Sequence, residues 1–144
     1  MTKTRLRAAL RRQVVTDFRN RCAYCHTLTA ITGARLVIDH IIPEAVGGPT
    51  IRENLCLACH SCNEFKSAQT KGQDPLTDEP TPLFHPRQQQ WRDHFAWSAA
   101  GSEIIGRTPV GRATIVALNL NHPDIVEARR RWTKVGWHPP ADDL

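Results

Sequence analysis

The segment that decides the fold begins with Cys-Ala-Tyr-Cys at residues 22–25 and ends with Cys-His-Ser-Cys-Asn at residues 59–63. Two intervening residues let both sulfurs of such a pair converge on one ion, and Zn²⁺ takes four ligands in a tetrahedron. The two pairs therefore predict a structural zinc site with the ligands Cys22, Cys25, Cys59 and Cys62. A Cys₄ site has no open position for a substrate, so we expect this ion to stabilise the fold and not to catalyse.

Composition is consistent with a small protein held together by a metal. The chain has 144 residues, 40% of them hydrophobic, and a net charge of +5. A core of about 45 residues would be marginal without a staple. The basic charge favours a polyanion partner only as a prior, because many basic proteins bind no nucleic acid.

Residues 1–12 are Arg-rich and lack an apolar signal region, and no apolar run approaches the ~20 residues needed to span a bilayer. We therefore expect a soluble, cytoplasmic protein without a membrane partner. In that reducing compartment, paired cysteines are more often metal ligands than disulfides. Cys56 is the cysteine left over, and we expect it in the core as a small hydrophobic residue.

Apolar spacing predicts the local elements around the cysteines. Residues 3–20 read as an amphipathic helix, because apolar residues recur every four positions. Residues 28–31 and 36–42 are β-prone runs on either side of a Gly-containing turn, which predicts a hairpin. A helix is expected from Asn63 to about Gln69. The apolar stripe of the first helix consists of Leu6, Leu10, Val14 and Phe18.

The C-terminal half has a different composition. Residues 73–86 are Pro-rich and read as a connector. Helices are then expected at residues 87–95, after the Thr108-Pro109 cap to about Leu118, and from a cap at Asn121 to a stop at Gly136. We expect this extension, residues 87–144, to pack on the N-terminal core that contains the cysteine pairs.

An Asp-His pair lies between the cysteine pairs. Hydrolysis of a phosphodiester needs an activated water and a cation that neutralises charge on the phosphate. Asp39 can offer an oxygen ligand to Mg²⁺ or Mn²⁺, neutral His40 can act as a general base, and Asn63 can offer a second oxygen ligand. An isolated Asp-His pair is more often an ordinary surface feature. The flanking cysteine pairs are what favour the catalytic interpretation.

These motifs together resemble the HNH endonucleases, the zinc-containing ββα-metal nucleases, over about residues 20–70. The resemblance also includes a C-terminal extension seen in some bacterial HNH proteins. The residues that carry it are Cys22, Cys25, Asp39-His40-Ile41-Ile42-Pro43, Gly47-Gly48, Asn54-Leu55, Cys59, Cys62-Asn63 and Lys66. The resemblance implies an α+β fold with a zinc-stapled, treble-clef-like ββα-metal core over residues 1–72, flanking helices and a mostly helical extension.

The resemblance also implies a role for each matching residue. His40 would be the general base, Asp39 and Asn63 would ligate the catalytic divalent ion, and Asn54 would brace the loop and orient the base. The first and last motif positions are Asp39 and Asn63 where the family pattern has His, and oxygen ligands favour Mg²⁺ or Mn²⁺. The substrate would be DNA, double-stranded in the leading interpretation, cut to leave 5′-phosphate and 3′-hydroxyl ends. Lys66 and Arg35 are candidate phosphate contacts, although an ordinary surface role fits either equally well.

Two other interpretations stay open at this point. A zinc-stabilised nucleic-acid-binding module that never cuts would need only the cysteines and the basic charge. An oxidoreductase would need an exposed thiol of low pKa in one Cys-x-x-Cys pair. Neither explains the spacing of Asp39, His40 and Asn63.

Overall fold

A computed structural model describes residues 6–143 and divides the chain into two compact units, Met1–Thr70 and Lys71–Leu144. The charge is divided unequally between them. The first unit has ten Lys and Arg residues against five Asp and Glu residues, whereas the second has nine of each. The whole net charge of +5 therefore belongs to the first unit.

The first unit is a small α+β fold. Its elements are α1 (Ala8–Asp17), α2 (Thr29–Thr32), β1 (Val37–His40), β2 (Leu55–Ala58) and α3 (His60–Lys66). β1 and β2 are antiparallel, with Val37 opposite Ala58 and His40 opposite Leu55. A long loop with two 3₁₀ turns, Glu44–Val46 and Arg52–Asn54, joins the strands. The order β1, β2, α3 is the ββα arrangement that the family resemblance implies.

The expected hairpin between residues 28–31 and 36–42 is wrong. Residues Thr29–Thr32 form a single helical turn that ends at Gly33, whose φ of 71° is left-handed. Leu28 makes an isolated antiparallel bridge with Arg21, so it closes the loop around the first cysteine pair. The glycine was correctly placed at a turn, but the turn ends a helix, and β1 pairs with the distant β2 instead.

The core of the first unit lies between α1 and the sheet. Val14, Leu36, Leu55 and Leu57 are buried together, and Leu6, Leu10 and Phe18 pack against them. The apolar stripe of α1 is thus confirmed, although the helix is shorter than the expected range of 3–20, part of which lies outside the described residues. Each fully buried aliphatic side chain contributes about 1.5–3 kcal/mol to the free energy of unfolding. α1 is therefore held by its packed face, since it has neither a side-chain N-cap nor an acidic first turn.

The second unit contains two small antiparallel sheets beside its helices. β3 (Lys71–Gln73) pairs with β4 (Pro80–Pro82), and β5 (Phe95–Trp97) pairs with β6 (Ile104–Gly106). The helices are α4 (Trp91–His94), α5 (Pro109–Ala117) and α6 (Pro123–Lys134). The Pro-rich segment 73–86, expected to be an irregular connector, therefore contributes to a hairpin. Pro80 and Pro82 are tolerated there because they are the first and last residues of the short strand β4.

The helix caps of this unit follow the sequence in part. Thr108 caps α5 by accepting a hydrogen bond from the Gly111 N–H, with Pro109 at the first helical position. Asn121 does not cap α6; His122 does. The Asn121 amide instead accepts from the Ile104 N–H at 2.8 Å and donates to the Ile104 carbonyl at 2.9 Å. The helix expected over residues 87–95 is reduced to the single turn α4, because Phe95 already belongs to β5.

Two buried polar groups stabilise the second unit. Arg129, with 0% of its surface exposed, donates to the carbonyls of Leu120 and Ser102 and lies over the Trp97 ring. Asp74 is equally buried and accepts two hydrogen bonds from the Arg112 guanidinium, at 2.9 and 2.8 Å. That guanidinium holds the pKa of the Asp74 carboxyl well below its usual value.

Within residues 6–143, no helix combines the length and the apolar character required to cross a bilayer.

Candidate metal centre and active site

The four cysteines that the sequence selects do come together. The Sγ atoms of Cys22, Cys25, Cys59 and Cys62 all lie within 4.8 Å of one another. The sulfurs of Cys25 and Cys59 are 3.8 Å apart, which is roughly the edge of a tetrahedron with Zn–S bonds of about 2.3 Å. The donor set and its spacing therefore fit a structural zinc ion.

Backbone hydrogen bonds position each cysteine pair. In the first pair, the Cys22 N–H donates to the Thr27 carbonyl at 3.0 Å, and the Ala23 N–H donates to the Leu57 carbonyl of β2 at 2.7 Å. The second pair begins α3, where Cys59 is the N-cap and its sulfur accepts from the Cys62 N–H. The sheet and the start of one helix thus hold the four sulfurs in place.

The surroundings of three of the thiols shift their pKa values. Burial raises the pKa of the Cys22 thiol, whereas contacts with the sulfurs of Cys22, Cys59 and Cys62 lower the pKa of Cys25. The same crowding raises the pKa of Cys62. A bound zinc ion would compensate the negative charge and favour four thiolates, so metal binding and folding are coupled here.

Three of the four predicted catalytic residues line one cavity, and Asn54 is the one that does not. It is open to solvent, has a volume of about 270 Å³, and is formed by residues of β1, the following loop, α3 and the segment before α1. Its walls include Asp39, His40 and Asn63 together with Leu6, Ile38, Pro43, Glu44 and Ser67. The structure therefore brings together the three side chains that the sequence assigns to the chemistry.

Asp39 is held from inside the fold. Its carboxylate accepts from the Tyr24 hydroxyl at 2.7 Å and from the Lys66 ammonium at 3.3 Å, and only 6% of its side chain is exposed. The Cys56 thiol lies 3.6 Å from the same carboxylate, and the residue is fully buried, as its sequence position predicts. Burial raises the pKa of both the Tyr24 phenol and the Cys56 thiol.

Lys66 differs from its expected role as a phosphate contact. Its side chain is 2% exposed, and its ammonium donates to Asp39 and to the His40 carbonyl, the latter at 3.0 Å. A buried charge needs a partner of opposite sign, and Asp39 is that partner. Arg35, the other candidate phosphate contact, is exposed. Burial lowers the pKa of the Arg11 guanidinium, and the positive charge of Arg35 lowers it further.

The His40 ring contacts two side chains of the loop. Its Nε2 lies 2.9 Å from Thr50 Oγ1 and 3.5 Å from Glu44 Oε1. Thr50 in turn donates a hydrogen bond of 3.2 Å to Glu44. Neither neighbour is predictable from sequence spacing, because both belong to an irregular loop.

Asn54 closes that loop. Its amide oxygen accepts from the Ile42 N–H at 2.9 Å, and its amide nitrogen donates to the carbonyls of Ile42 and Pro49 at 3.0 and 2.8 Å. The side chain is buried, so these bonds satisfy it internally. These bonds join the two ends of the loop and do not reach the His40 ring.

Asp39 and Asn63 have the chemistry expected of ligands for a hard cation. A carboxylate and an amide offer oxygen atoms, and Mg²⁺ typically takes one or two protein ligands while it keeps several waters. Both residues reach the same cavity. The residues present therefore fit a site for Mg²⁺ or Mn²⁺.

Comparison with known proteins agrees with the resemblance to HNH endonucleases. Residues 22–69 match the family model described as HNH endonuclease. The CRISPR-associated endonuclease Cas9 of Corynebacterium diphtheriae is 45% identical to the chain over 56 residues. That alignment covers 38% of this chain and 4% of the Cas9 protein. No solved structure matches the chain. Residues 22–69, which contain the clustered cysteines and the catalytic candidates of the cavity, are therefore the part of the chain that is similar to an HNH endonuclease domain.

Proposed function

We propose that the protein is a metal-dependent endonuclease that hydrolyses phosphodiester bonds of DNA. The observation that supports this most strongly is the cavity shared by Asp39, His40 and Asn63, in a unit that also brings four cysteines together. A binding module would need the cysteines alone, whereas the side chains of His40, Asp39 and Asn63 at the cavity are of the types that a nuclease would need as a base and two oxygen ligands. The net charge of +5 on the first unit suits a polyanionic substrate.

In this proposal each side chain has one task. Asp39 and Asn63 bind a divalent ion, which would neutralise negative charge on the phosphate oxygens. The His40 imidazole accepts a proton from water as the water oxygen attacks phosphorus. The bond from phosphorus to the 3′ oxygen breaks, and this oxygen takes a proton from solvent water, which leaves 5′-phosphate and 3′-hydroxyl ends. Double-stranded DNA is the preferred substrate class, and the thiolates suit the reducing cytoplasm.

The test is cleavage of supercoiled plasmid by zinc-loaded protein, with and without added Mg²⁺ or Mn²⁺. We expect nicked or linear product only with the divalent ion, and a loss of about 10²-fold or more in His40→Ala. His60→Ala is the matched control, because His60 is exposed on α3 and lies outside the sulfur cluster. Equal zinc content in all three proteins shows that the metal centre is intact.

The binding-module alternative predicts a different result. It would give DNA binding without cleavage in the unaltered protein, and identical behaviour in His40→Ala. An unchanged cleavage rate in His40→Ala would contradict the assignment of the base even if the protein cuts.

A further inference from the structure

We propose that Glu44 and Thr50 are positioning residues, which hold His40 as the tautomer with its proton on Nε2 and leave Nδ1 free to accept a proton from water. The catalytic consequence rests on the proposed function. The tautomer itself does not, because it follows from the contacts of the ring.

The argument begins with the number of protons available. A threonine hydroxyl has one proton to donate, and an ionised carboxylate can only accept. The Thr50 hydroxyl lies 3.2 Å from Glu44 Oε1 and donates to it. The proton of Thr50 is then already used, so its oxygen can offer only lone pairs to the imidazole 2.9 Å away. In this arrangement, Nε2 carries the hydrogen in the contact with Thr50.

The second contact of the ring favours the same tautomer. Glu44 Oε1 lies 3.5 Å from Nε2. A bare Nε2 lone pair would face a negative oxygen, whereas an N–H at Nε2 points a positive dipole at it. The two contacts therefore agree. In a neutral imidazole with hydrogen on Nε2, the basic nitrogen is Nδ1.

The loop restricts the positions of Glu44 and Thr50 relative to the His40 ring. Glu44 is four residues after His40 and begins a 3₁₀ turn directly after Pro43, which limits its backbone freedom. Thr50 follows Pro49, whose carbonyl is bonded to the Asn54 amide. The side chains of His40 and Glu44 are only 19% and 25% exposed, which limits competition from water. Asn54 thus acts on the base through Thr50 and not by a direct bond.

The first experiment reads the tautomer without any substrate. Long-range ¹H–¹⁵N spectra of zinc-loaded, ¹⁵N-histidine-labelled protein are recorded in the alkaline range, where imidazoles are neutral. The signal that disappears in His40→Gln identifies His40. We expect hydrogen on Nε2 in the unaltered protein, a mixture of tautomers in the isosteric Thr50→Val variant, and restoration in Thr50→Ser. Hydrogen on Nδ1 in the unaltered protein, or a Thr50→Val spectrum equal to it, would overturn the inference.

The second experiment measures single-turnover cleavage with the same proteins. We expect Thr50→Val to lower the rate by about 10²-fold with little change in the concentration of DNA that gives half-maximal rate, because a misplaced base slows chemistry and not binding. Thr50→Ser should recover most of the rate. Glu44→Gln, expected to fall between them, serves if Thr50→Val does not fold. The control is Glu53→Gln, since Glu53 is exposed on the same loop.

The two proposals fail in different ways. Absence of cleavage in the unaltered protein contradicts the proposed function, and the spectra then still decide the tautomer. Cleavage that Thr50→Val leaves unchanged contradicts the positioning role alone. Loss of Mn²⁺ binding in Glu44→Gln, measured by calorimetry, would make Glu44 a ligand and would also overturn its positioning role.

Discussion

Replacing Lys66 by methionine tests the buried pair beneath the cavity. The Lys66 and Asp39 side chains are 2% and 6% exposed, and the nearest nitrogen–oxygen distance is 3.1 Å. Removal of one partner leaves the other charge buried without compensation, which typically costs 3–5 kcal/mol. Asp39 would keep its hydrogen bond from Tyr24. We therefore expect Lys66→Met to lower the free energy of unfolding by about 3 kcal/mol, the lower end of that range.

Hydrogen–deuterium exchange measures this loss where it should occur. Amides of β1, β2 and α3 are expected to exchange about 10²-fold faster in Lys66→Met, while those of α5 and α6 serve as an internal reference. Arg52→Met is the matched control in the same unit. Its salt bridge to Asp17 is shorter, at 2.7 Å, but the Arg52 side chain is 48% exposed, so water compensates most of the loss.

A double variant separates the pair from simple packing. Asp39→Asn with Lys66→Met removes both charges, so it should be less destabilised than Lys66→Met alone. Exchange in Lys66→Met that is no faster than in Arg52→Met would refute the reasoning. It would mean that the ammonium of Lys66 is hydrated and that Asp39 does not depend on it.

Two further predictions concern metal and pH. Cys59→Ser should lose its zinc and the exchange protection of β1, β2 and α3, because the free energy of zinc binding contributes to folding. Cys56→Ser should keep its zinc, since Cys56 lies outside the sulfur cluster. Equal zinc content of the two variants by atomic absorption would argue against the assigned ligands. Arg112 lowers the pKa of Asp74 in the folded state. The stabilisation of the fold by this ion pair is therefore complete above the pKa of Asp in the unfolded chain, about 3.9, and is lost as the pH falls through the lower pKa of the folded state. Acid unfolding followed by tryptophan fluorescence should thus be less steep in Asp74→Asn, and a curve as steep as that of the unaltered protein would contradict this.

Residues whose role depends on local spacing were predictable from the sequence. Each cysteine pair brings its own two sulfurs together, so only the meeting of the pairs required the fold. The cap at Thr108 likewise needs only its neighbours Pro109 and Gly111. The apolar stripe of α1 follows from the helical period.

Residues whose role depends on distant contacts were not predictable in this way. The strand partner of β1 lies beyond a long loop, whereas the sequence pattern favours the nearer β-prone run at residues 28–31, most of which forms a helical turn. Lysine is usually exposed, so sequence alone placed Lys66 in solvent, whereas the carboxylate of Asp39 draws it inward. Thr50 has no local signal at all, since only the closure of the loop by Asn54 brings it to the imidazole.

The hydrogen bond from Tyr24 to Asp39 also makes the first unit observable without a label. Tyr24 is the only tyrosine of the chain, and all four tryptophans, at positions 91, 97, 132 and 137, belong to the second unit. Tyrosine-selective ultraviolet resonance Raman bands depend on the hydrogen bonding of the phenol. The vibrational spectrum of this one side chain therefore reports on the carboxylate at the cavity, while indole emission reports separately on the other half of the molecule.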